Sequence, residues 1–206
     1  LLSKKIIEFI TDGILKLADK YHFEYSACVV TNGVLADDAF VSSCERLHIM
    51  NLQVTIDGER NIHNRYRFLK IDHGETFDTI LANLNDFCSR VHSDTATILR
   101  INLTDENYQT IPQLFDEIPK DVRDNSVLLF RWVYSHVEGR SPGIEFSAKK
   151  KGSRPYENLA PLYELAQSKG FTTNSFDEGF CCNFCECDFD HAFQINYNGD
   201  LFMCTH

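Results

Sequence analysis

Apolar positions in the first two thirds of the chain alternate between helical spacing and short strand-like runs. Residues 6–17 carry Ile, Phe and Leu at helical spacing, and residues 25–31 then form a strand-like run that stops at Asn32 and Gly33. The same succession follows three more times, so the sequence predicts four helix–strand units. The later predicted helices span residues 36–47, 76–91 and 107–118, and the later predicted strands span residues 52–56, 97–103 and 126–133.

Strands that alternate with helices cannot pair with one another as hairpins. They are expected to lie parallel, with right-handed crossovers, as in a doubly wound sheet or a β/α barrel. The predicted fold class is therefore α/β, and in both architectures ligands bind at the carboxyl ends of the strands. The connection over residues 57–75 is long for a βα loop, and long ordered loops at this edge of a sheet are often functional.

The composition indicates a globular protein with an acidic surface. The 206 residues are 43% hydrophobic and carry a net charge of −10, which allows a sizeable core and argues against a nucleic-acid partner. No stretch approaches the roughly 18 consecutive apolar residues of a membrane span, so we expect no membrane partner. No signal peptide is visible, and we expect a cytoplasmic protein whose thiols stay reduced.

Polar residues are dense where the predicted strands end. Asn32, Gly33, Asp57 and Gly58 are typical turn formers, which is sufficient to explain their presence there. Arg100 differs from them, because it stands inside an otherwise apolar strand, where an unpaired guanidinium is costly to bury. It needs either an ion pair, for which Asp57 is the candidate, or an anionic ligand.

The last part of the chain is rich in cysteine and indicates a metal site. Five of the eight cysteines fall in this tail, which also contains a short hairpin-like stretch around Gly199. An iron–sulfur cluster would take four thiolates, whereas zinc would accept a cysteine pair together with a further cysteine and a histidine. The tail cysteines are Cys181, Cys182, Cys185, Cys187 and Cys204, and the zinc alternative uses Cys182, Cys185, Cys204 and His206. The other cysteines, Cys28, Cys44 and Cys88, are interpreted mostly as buried small hydrophobes.

The middle of the chain contains several short segments in a distinctive order and spacing. They are residues 52–58 (LQVTIDG), His63 and Arg67, residues 76–77 (TF), and residues 99–107, which begin LRINLT. In this order and spacing the chain resembles the radical S-adenosylmethionine enzymes, in the branch that includes anaerobic sulfatase-maturating enzymes and other peptide maturases.

The cysteine tail has a characteristic spacing, in which Cys187 is followed after eleven residues by Gly199 and after four more by Cys204. This spacing is similar to the opening of the SPASM domain, the extension of that branch that holds auxiliary clusters. The resemblance implies that Cys187 and Cys204 are ligands of an auxiliary iron–sulfur cluster. Cys181, Cys182 and Cys185 have no place in this pattern, and Cys182 and Cys185 are the candidates to complete the four thiolates that such a cluster takes. Iron–sulfur is therefore favoured over zinc.

The resemblance implies a partial radical S-adenosylmethionine β/α barrel over residues 1–135, a linker with a bridging helix over residues 136–180, and the start of a SPASM domain over residues 181–206. It also implies two cofactors, S-adenosylmethionine and 4Fe–4S clusters. The reaction would be reductive cleavage of S-adenosylmethionine to a 5′-deoxyadenosyl radical, which abstracts hydrogen from a peptide or protein substrate. The partners would be that substrate and an electron donor such as flavodoxin or ferredoxin.

By position, the resemblance implies that Thr55, Asp57, Arg100 and Asn102 line the S-adenosylmethionine pocket. Their chemistry agrees, because hydroxyl, carboxylate and amide groups suit the ribose and amino groups, and Arg100 suits the methionyl carboxylate. His63 and Arg67 either anchor the long loop or contact the substrate. No catalytic residue can be assigned from the sequence.

The chain departs from the family at one essential point. The CxxxCxxC motif that holds the radical cluster does not occur among the 206 residues. We therefore expect an internal fragment of a longer enzyme, inactive by itself. The alternative is a noncatalytic zinc-binding interaction protein on an α/β scaffold.

Overall fold

The computed structural model describes residues 4–90, 96–133, 159–173, 194–195 and 200–202. By its internal contacts the chain divides into two units, Leu1–Thr173 and Asn174–His206.

The first unit alternates helices and strands along the chain. Its elements in order are α1 (Lys4–Tyr21), β1 (Ala27–Thr31), α2 (Asp38–Val41), β2 (Ile49–Thr55), α3 (Arg60–Tyr66), α4 (Phe77–Arg90), β3 (Ala96–Leu103), a 3₁₀ turn (Tyr108–Thr110), α5 (Ile111–Glu117), α6 (Lys120–Asp124), β4 (Ser126–Trp132), α7 (Ala160–Ser168) and β5 (Thr172–Thr173). In the second unit, β6 (Gln194–Ile195) and β7 (Leu201–Phe202) pair antiparallel, as the hairpin-like pattern of the tail predicts.

The first unit contains a single five-stranded sheet among the described residues, and every pairing in it is parallel. The predicted α/β class is confirmed. The strand order β1-β2-β3-β4-β5 follows the order of the chain. A doubly wound sheet reverses its order at a switch point, whereas a sequential order is that of a partial β/α barrel. The fifth strand, Thr172–Thr173, follows the four predicted units.

The two faces of the sheet differ in chemistry. On one face the central strands carry fully buried aliphatic residues, including Leu52, Leu99 and Ile101, which belong to one core with the helices. On the other face, which we call the open face, β3 places the half-buried Arg100 and Asn102. Because strand side chains alternate, this arrangement separates the core from a polar surface that leads to the strand ends.

Phenylalanine supplies several of the largest side chains in a core that is otherwise mainly aliphatic. A fully buried Phe side chain contributes about 1.5–3 kcal/mol relative to an exposed one. The fully buried members are Phe40, Phe77, Phe87, Phe115 and Phe130. Helix α7 contributes Leu162 and Ala166 to the same core, and the Tyr163 ring meets Phe130 edge-on at 4.9 Å between centroids. The helix that was expected to bridge to the tail therefore packs on the sheet.

Two helix predictions need correction. The helix predicted over residues 36–47 is confined to Asp38–Val41, because the hydroxyls of Ser42 and Ser43 bond to the Asp38 and Phe40 carbonyl groups and compete with regular helix. The helix predicted over residues 107–118 becomes a 3₁₀ turn followed by α5.

The first helix and the first strand leave apolar surface exposed in the described part of the chain. Ile6, Phe9 and Leu17 of α1 are exposed, Phe9 at 80%, and Val30 of β1 is 66% exposed. Cys28 lies on the same strand and is exposed, so its interpretation as a buried hydrophobe is wrong.

The interpretation is confirmed for the other two cysteines of this unit. Cys44 and Cys88 are buried. Burial raises the pKa of the Cys44 thiol to about 11 and raises the pKa of Cys88 as well. Both thiols are therefore protonated at neutral pH and unreactive.

None of the helices in the described residues combines the length and the apolar character that crossing a membrane requires.

Two glycines with nearly equal backbone angles form a matched pair for substitution. Gly33 and Gly170 have φ of +82° and +86°, so alanine is strained at both, at a cost of about 1–2 kcal/mol. A Cβ atom at Gly33 would also lie 2.8 Å from Val54 Cγ1 and 3.0 Å from Ile80 Cγ2, whereas none of the described atoms lies within 4 Å at Gly170. We expect Gly33→Ala to lower the free energy of unfolding by about 1–3 kcal/mol more than Gly170→Ala. Urea denaturation of the two variants measures this difference, and equal midpoints would contradict the packing at Gly33.

Candidate binding site at the carboxyl ends of the strands

Three of the four residues predicted for a ligand pocket lie next to one another on the open face. Thr55 is the register partner of Arg100 on the neighbouring strand. Asn102 follows two residues along β3, and its Oδ1 accepts a hydrogen bond of 2.9 Å from Arg100 Nε. The sheet thus brings a hydroxyl, a guanidinium and an amide to one place.

The neighbours of Arg100 show whether the ion pair with Asp57 that was considered for this residue is formed. Burial lowers the pKa of the Arg100 guanidinium, and nearby Arg131 and Arg67 lower it further, while Asp57 opposes them. The ion pair of Asp57 forms instead with Arg67, so the ion pair considered for Arg100 is not made. Among the residues that the structure describes, no carboxylate lies within ion-pair distance of Arg100. An anionic ligand stays the prediction.

Asp57 has one carboxylate oxygen engaged and one oxygen free within the described structure. Its Oδ2 pairs with Arg67 Nε. Its Oδ1 is buried and has no hydrogen-bond partner among the described residues, which is unfavourable for a carboxylate unless a donor reaches it. Asp57 lines a cavity of about 20 Å³, room for one water-sized group. The lining residues are Asp57, Tyr66, Asn102, Thr104, Asn107 and Val133.

Asn107 connects the ends of two strands. Its Nδ2 donates to the main-chain carbonyl groups of Asp57 and Asn102, both at 2.8 Å. Its Oδ1 accepts from Thr104 N at 2.8 Å, and its own main-chain N–H donates to Thr104 Oγ1 at 3.2 Å. Asn107 is 1% exposed. The sequence did not predict this role. An asparagine three residues after a threonine that follows a strand is a local signal for the turn at Thr104, but it does not indicate the contact with Asp57.

The long loop after β2 contains a helix that the sequence did not predict. Helix α3 begins after Glu59, whose carboxylate accepts from Asn61 N at 2.8 Å and Ile62 N at 3.2 Å. Asn64 Oδ1 then accepts from the amides of Thr76 and Phe77, at 3.2 and 3.0 Å. The Asn64 side chain of α3 thereby caps the start of α4, where free main-chain N–H groups need acceptors.

His63 and Arg67 anchor this loop, which is one of the two roles that the sequence suggests for them. His63 is fully buried; its Nδ1 lies 3.2 Å from Asp57 N and its Nε2 lies 3.2 Å from Thr76 Oγ1. Thr76 Oγ1 in turn donates to the Arg67 carbonyl oxygen at 2.6 Å. Burial lowers the pKa of the His63 imidazole to about 4. His63 is therefore neutral at physiological pH.

The predicted metal ligands Cys182, Cys185, Cys187 and Cys204 lie outside the described residues, as do Cys181 and His206. Within the described ranges, no group of three or more His, Cys, Asp or Glu residues is arranged to hold a metal ion.

No protein-family model matches the chain, and a search of the curated proteins finds no match. The chemistry of the strand ends is therefore the basis for a functional proposal.

Proposed function

We propose that this chain is part of a radical S-adenosylmethionine enzyme with a SPASM extension, which modifies a peptide or protein side chain by hydrogen abstraction. The observation that carries the proposal is a pair of incompletely paired charged groups at the strand ends. Arg100 has no carboxylate partner in the described structure, and Asp57 Oδ1 is buried there without a donor. A parallel sheet binds its ligands at this edge.

The residues present suit the polar end of S-adenosylmethionine. The planar guanidinium of Arg100 suits the methionyl carboxylate, while Asp57 Oδ1 and the hydroxyl of Thr55 can accept hydrogen bonds from amino or hydroxyl groups. The cavity of about 20 Å³ beside Asp57 admits one such group, so the rest of the ligand would lie over the open face. When bound beside a reduced iron–sulfur cluster, S-adenosylmethionine supplies the radical that abstracts hydrogen.

The proposal assigns the tail cysteines to an auxiliary 4Fe–4S cluster and the missing CxxxCxxC motif to the preceding part of the parent protein. The 206 residues alone would then lack catalytic activity. A peptide or protein is the substrate, and flavodoxin or ferredoxin supplies electrons. The alternative, a noncatalytic protein with zinc at the tail, requires neither the motif nor a ligand at the strand ends.

The first test is to sequence the coding DNA on both sides of this segment. The proposal expects a CxxxCxxC motif upstream and further cysteines downstream. The full-length protein, purified without oxygen, should contain iron and acid-labile sulfide. A start codon directly before Leu1 with a stop codon after His206 would overturn the proposal, and stoichiometric zinc without iron would favour the alternative.

Arg100→Ala in the full-length protein tests the ligand site. Loss of a charge-assisted contact of about 2–3 kcal/mol is expected to weaken S-adenosylmethionine binding by roughly 30–150-fold. Arg100→Lys should restore part of the affinity, since it keeps the charge and loses the planar fork. Arg46→Ala is the matched control, because Arg46 pairs with Glu8 of α1 and should leave binding unchanged. Calorimetric titration measures all four proteins, and equal affinity of Arg100→Ala and wild type would exclude the assigned role.

A further inference from the structure

Four residues in the segment between β2 and α4 form a closed ring of hydrogen bonds. Asp57 N–H is bonded to His63 Nδ1, His63 Nε2 to Thr76 Oγ1, and Thr76 Oγ1 to the Arg67 carbonyl oxygen. The Arg67 side chain closes the ring at the carboxylate of Asp57. Both the main chain and the side chain of Asp57 are therefore fixed by the same ring.

The direction of each bond follows from the donors present. A main-chain N–H can only donate, so His63 Nδ1 must accept from Asp57 and the proton lies on Nε2. Nε2–H then donates to Thr76 Oγ1, whose own hydrogen is directed to the Arg67 carbonyl oxygen. The ring needs a neutral imidazole, because a proton on Nδ1 would face the Asp57 N–H.

Fixing Asp57 in this way determines which of its oxygens is free. Arg67 engages Oδ2, and Oδ1 is left as the buried atom without a partner in the described structure. Asp57 lines the small cavity at the strand ends. Because a carboxylate oxygen only accepts, a ligand group that meets Oδ1 must be a hydrogen-bond donor, such as a hydroxyl or an ammonium group.

We infer that His63 is a positioning residue, which holds the Asp57 carboxylate so that Oδ1 meets a donor group of the ligand. The inference rests on the proposed function, since S-adenosylmethionine is the probe. His63 acts through Asp57 and Arg67 and does not itself line the cavity. The two hydrogen bonds of its buried imidazole connect the loop after β2 to the ligand-binding edge of the sheet.

Two substitutions separate the two bonds of the imidazole. Asparagine places its amide near the position of Nδ1, so His63→Asn can keep the bond to Asp57 N and lose the bond to Thr76. Glutamine reaches the position of Nε2, so His63→Gln can keep the bond to Thr76 and lose the bond to Asp57. Each variant loses one of the two hydrogen bonds of the imidazole, so their losses of stability should be similar.

Their effects on the site should differ. In the full-length protein we expect His63→Gln to bind S-adenosylmethionine about tenfold more weakly than wild type, which corresponds to one hydrogen bond, and His63→Asn to stay within about threefold. Hydrogen exchange of the Asp57 amide, measured without ligand, should be protected in wild type and His63→Asn and fast in His63→Gln.

The outcomes distinguish this inference from the proposed function. If wild type binds S-adenosylmethionine and both variants bind it equally well, or with equal loss, His63 has only a structural role and the inference fails alone. If wild type does not bind it, the proposed function fails, and the assignment of a ligand to Asp57 Oδ1 fails with it. Slow exchange of the Asp57 amide in His63→Gln would also overturn the inference, because the hydrogen bond from Asp57 N–H to His63 would then not be needed to hold Asp57 in place.

Discussion

Replacing Asn107 with leucine is expected to lower the free energy of unfolding by about 3–6 kcal/mol, a large part of the stability of a domain. The substitution removes all side-chain hydrogen bonds of Asn107 and leaves three main-chain groups without these partners, one of them in a buried contact and two in partly buried ones. These groups are the carbonyl groups of Asp57 and Asn102 and the N–H of Thr104. Urea denaturation monitored by circular dichroism measures the effect.

Asn125→Leu is the matched control for this substitution. The Asn125 amide donates one exposed hydrogen bond, of 2.9 Å, to the Asp121 carbonyl oxygen, and its loss should cost less than about 1 kcal/mol. Asn107→Asp keeps an acceptor for Thr104 N but turns a carboxylate oxygen towards two carbonyl groups, so it should also be strongly destabilised at neutral pH. Similar urea midpoints for Asn107→Leu and Asn125→Leu would show that Asn107 does not join the strand ends.

Acidification from pH 6.5 towards pH 4 is expected to remove about 3 kcal/mol of stability through His63. The pKa of His63 is lowered by burial from 6.5 to about 4 in the folded protein, with Arg67 contributing and Asp57 opposing. Between these values the unfolded chain binds a proton that the folded protein does not. The contribution of His63 is therefore fully present above pH 6.5 and is lost as the pH falls towards 4.

His63→Gln isolates this contribution from the carboxyl groups that also titrate in acid. The variant is less stable than wild type at neutral pH, but it lacks the imidazole, so its stability should fall less steeply between pH 6.5 and 4. Urea midpoints of both proteins across this window give the two slopes. Parallel slopes would mean that His63 titrates normally in the folded protein and is not buried as described.

The strands were predictable because parallel strands covered by helices are nearly continuous apolar runs. The exposure of Cys28 was not predictable. The sequence of β1 is apolar, although its open face is uncovered. A short apolar run has the same pattern whether or not other elements cover that strand. Helix α3 was missed because seven residues give little periodic signal, and its N-cap is a glutamate rather than one of the favoured short side chains.

At the candidate site, the sequence indicated which residues meet but not how they pair. Alternation along β3 was enough to place Arg100 and Asn102 on one face. The partner of Asp57 was not decided by sequence, because Arg67 and Arg100 are both near it and only the path of the loop brings Arg67 into contact. The role of Asn107 depends on a contact with Asp57, fifty positions earlier in the chain, which local patterns do not contain.

The sequential order of the strands has a consequence for how the molecule assembles. Each strand of the sheet pairs with the strands directly before and after it in the chain, so each new pairing closes a loop of one helix–strand unit and the entropy of closure stays small. No strand has to wait for a distant segment. A nascent chain leaving the ribosome can therefore add one helix–strand unit at a time. At each stage, the strand that has yet to pair with its next neighbour is the strand that formed last.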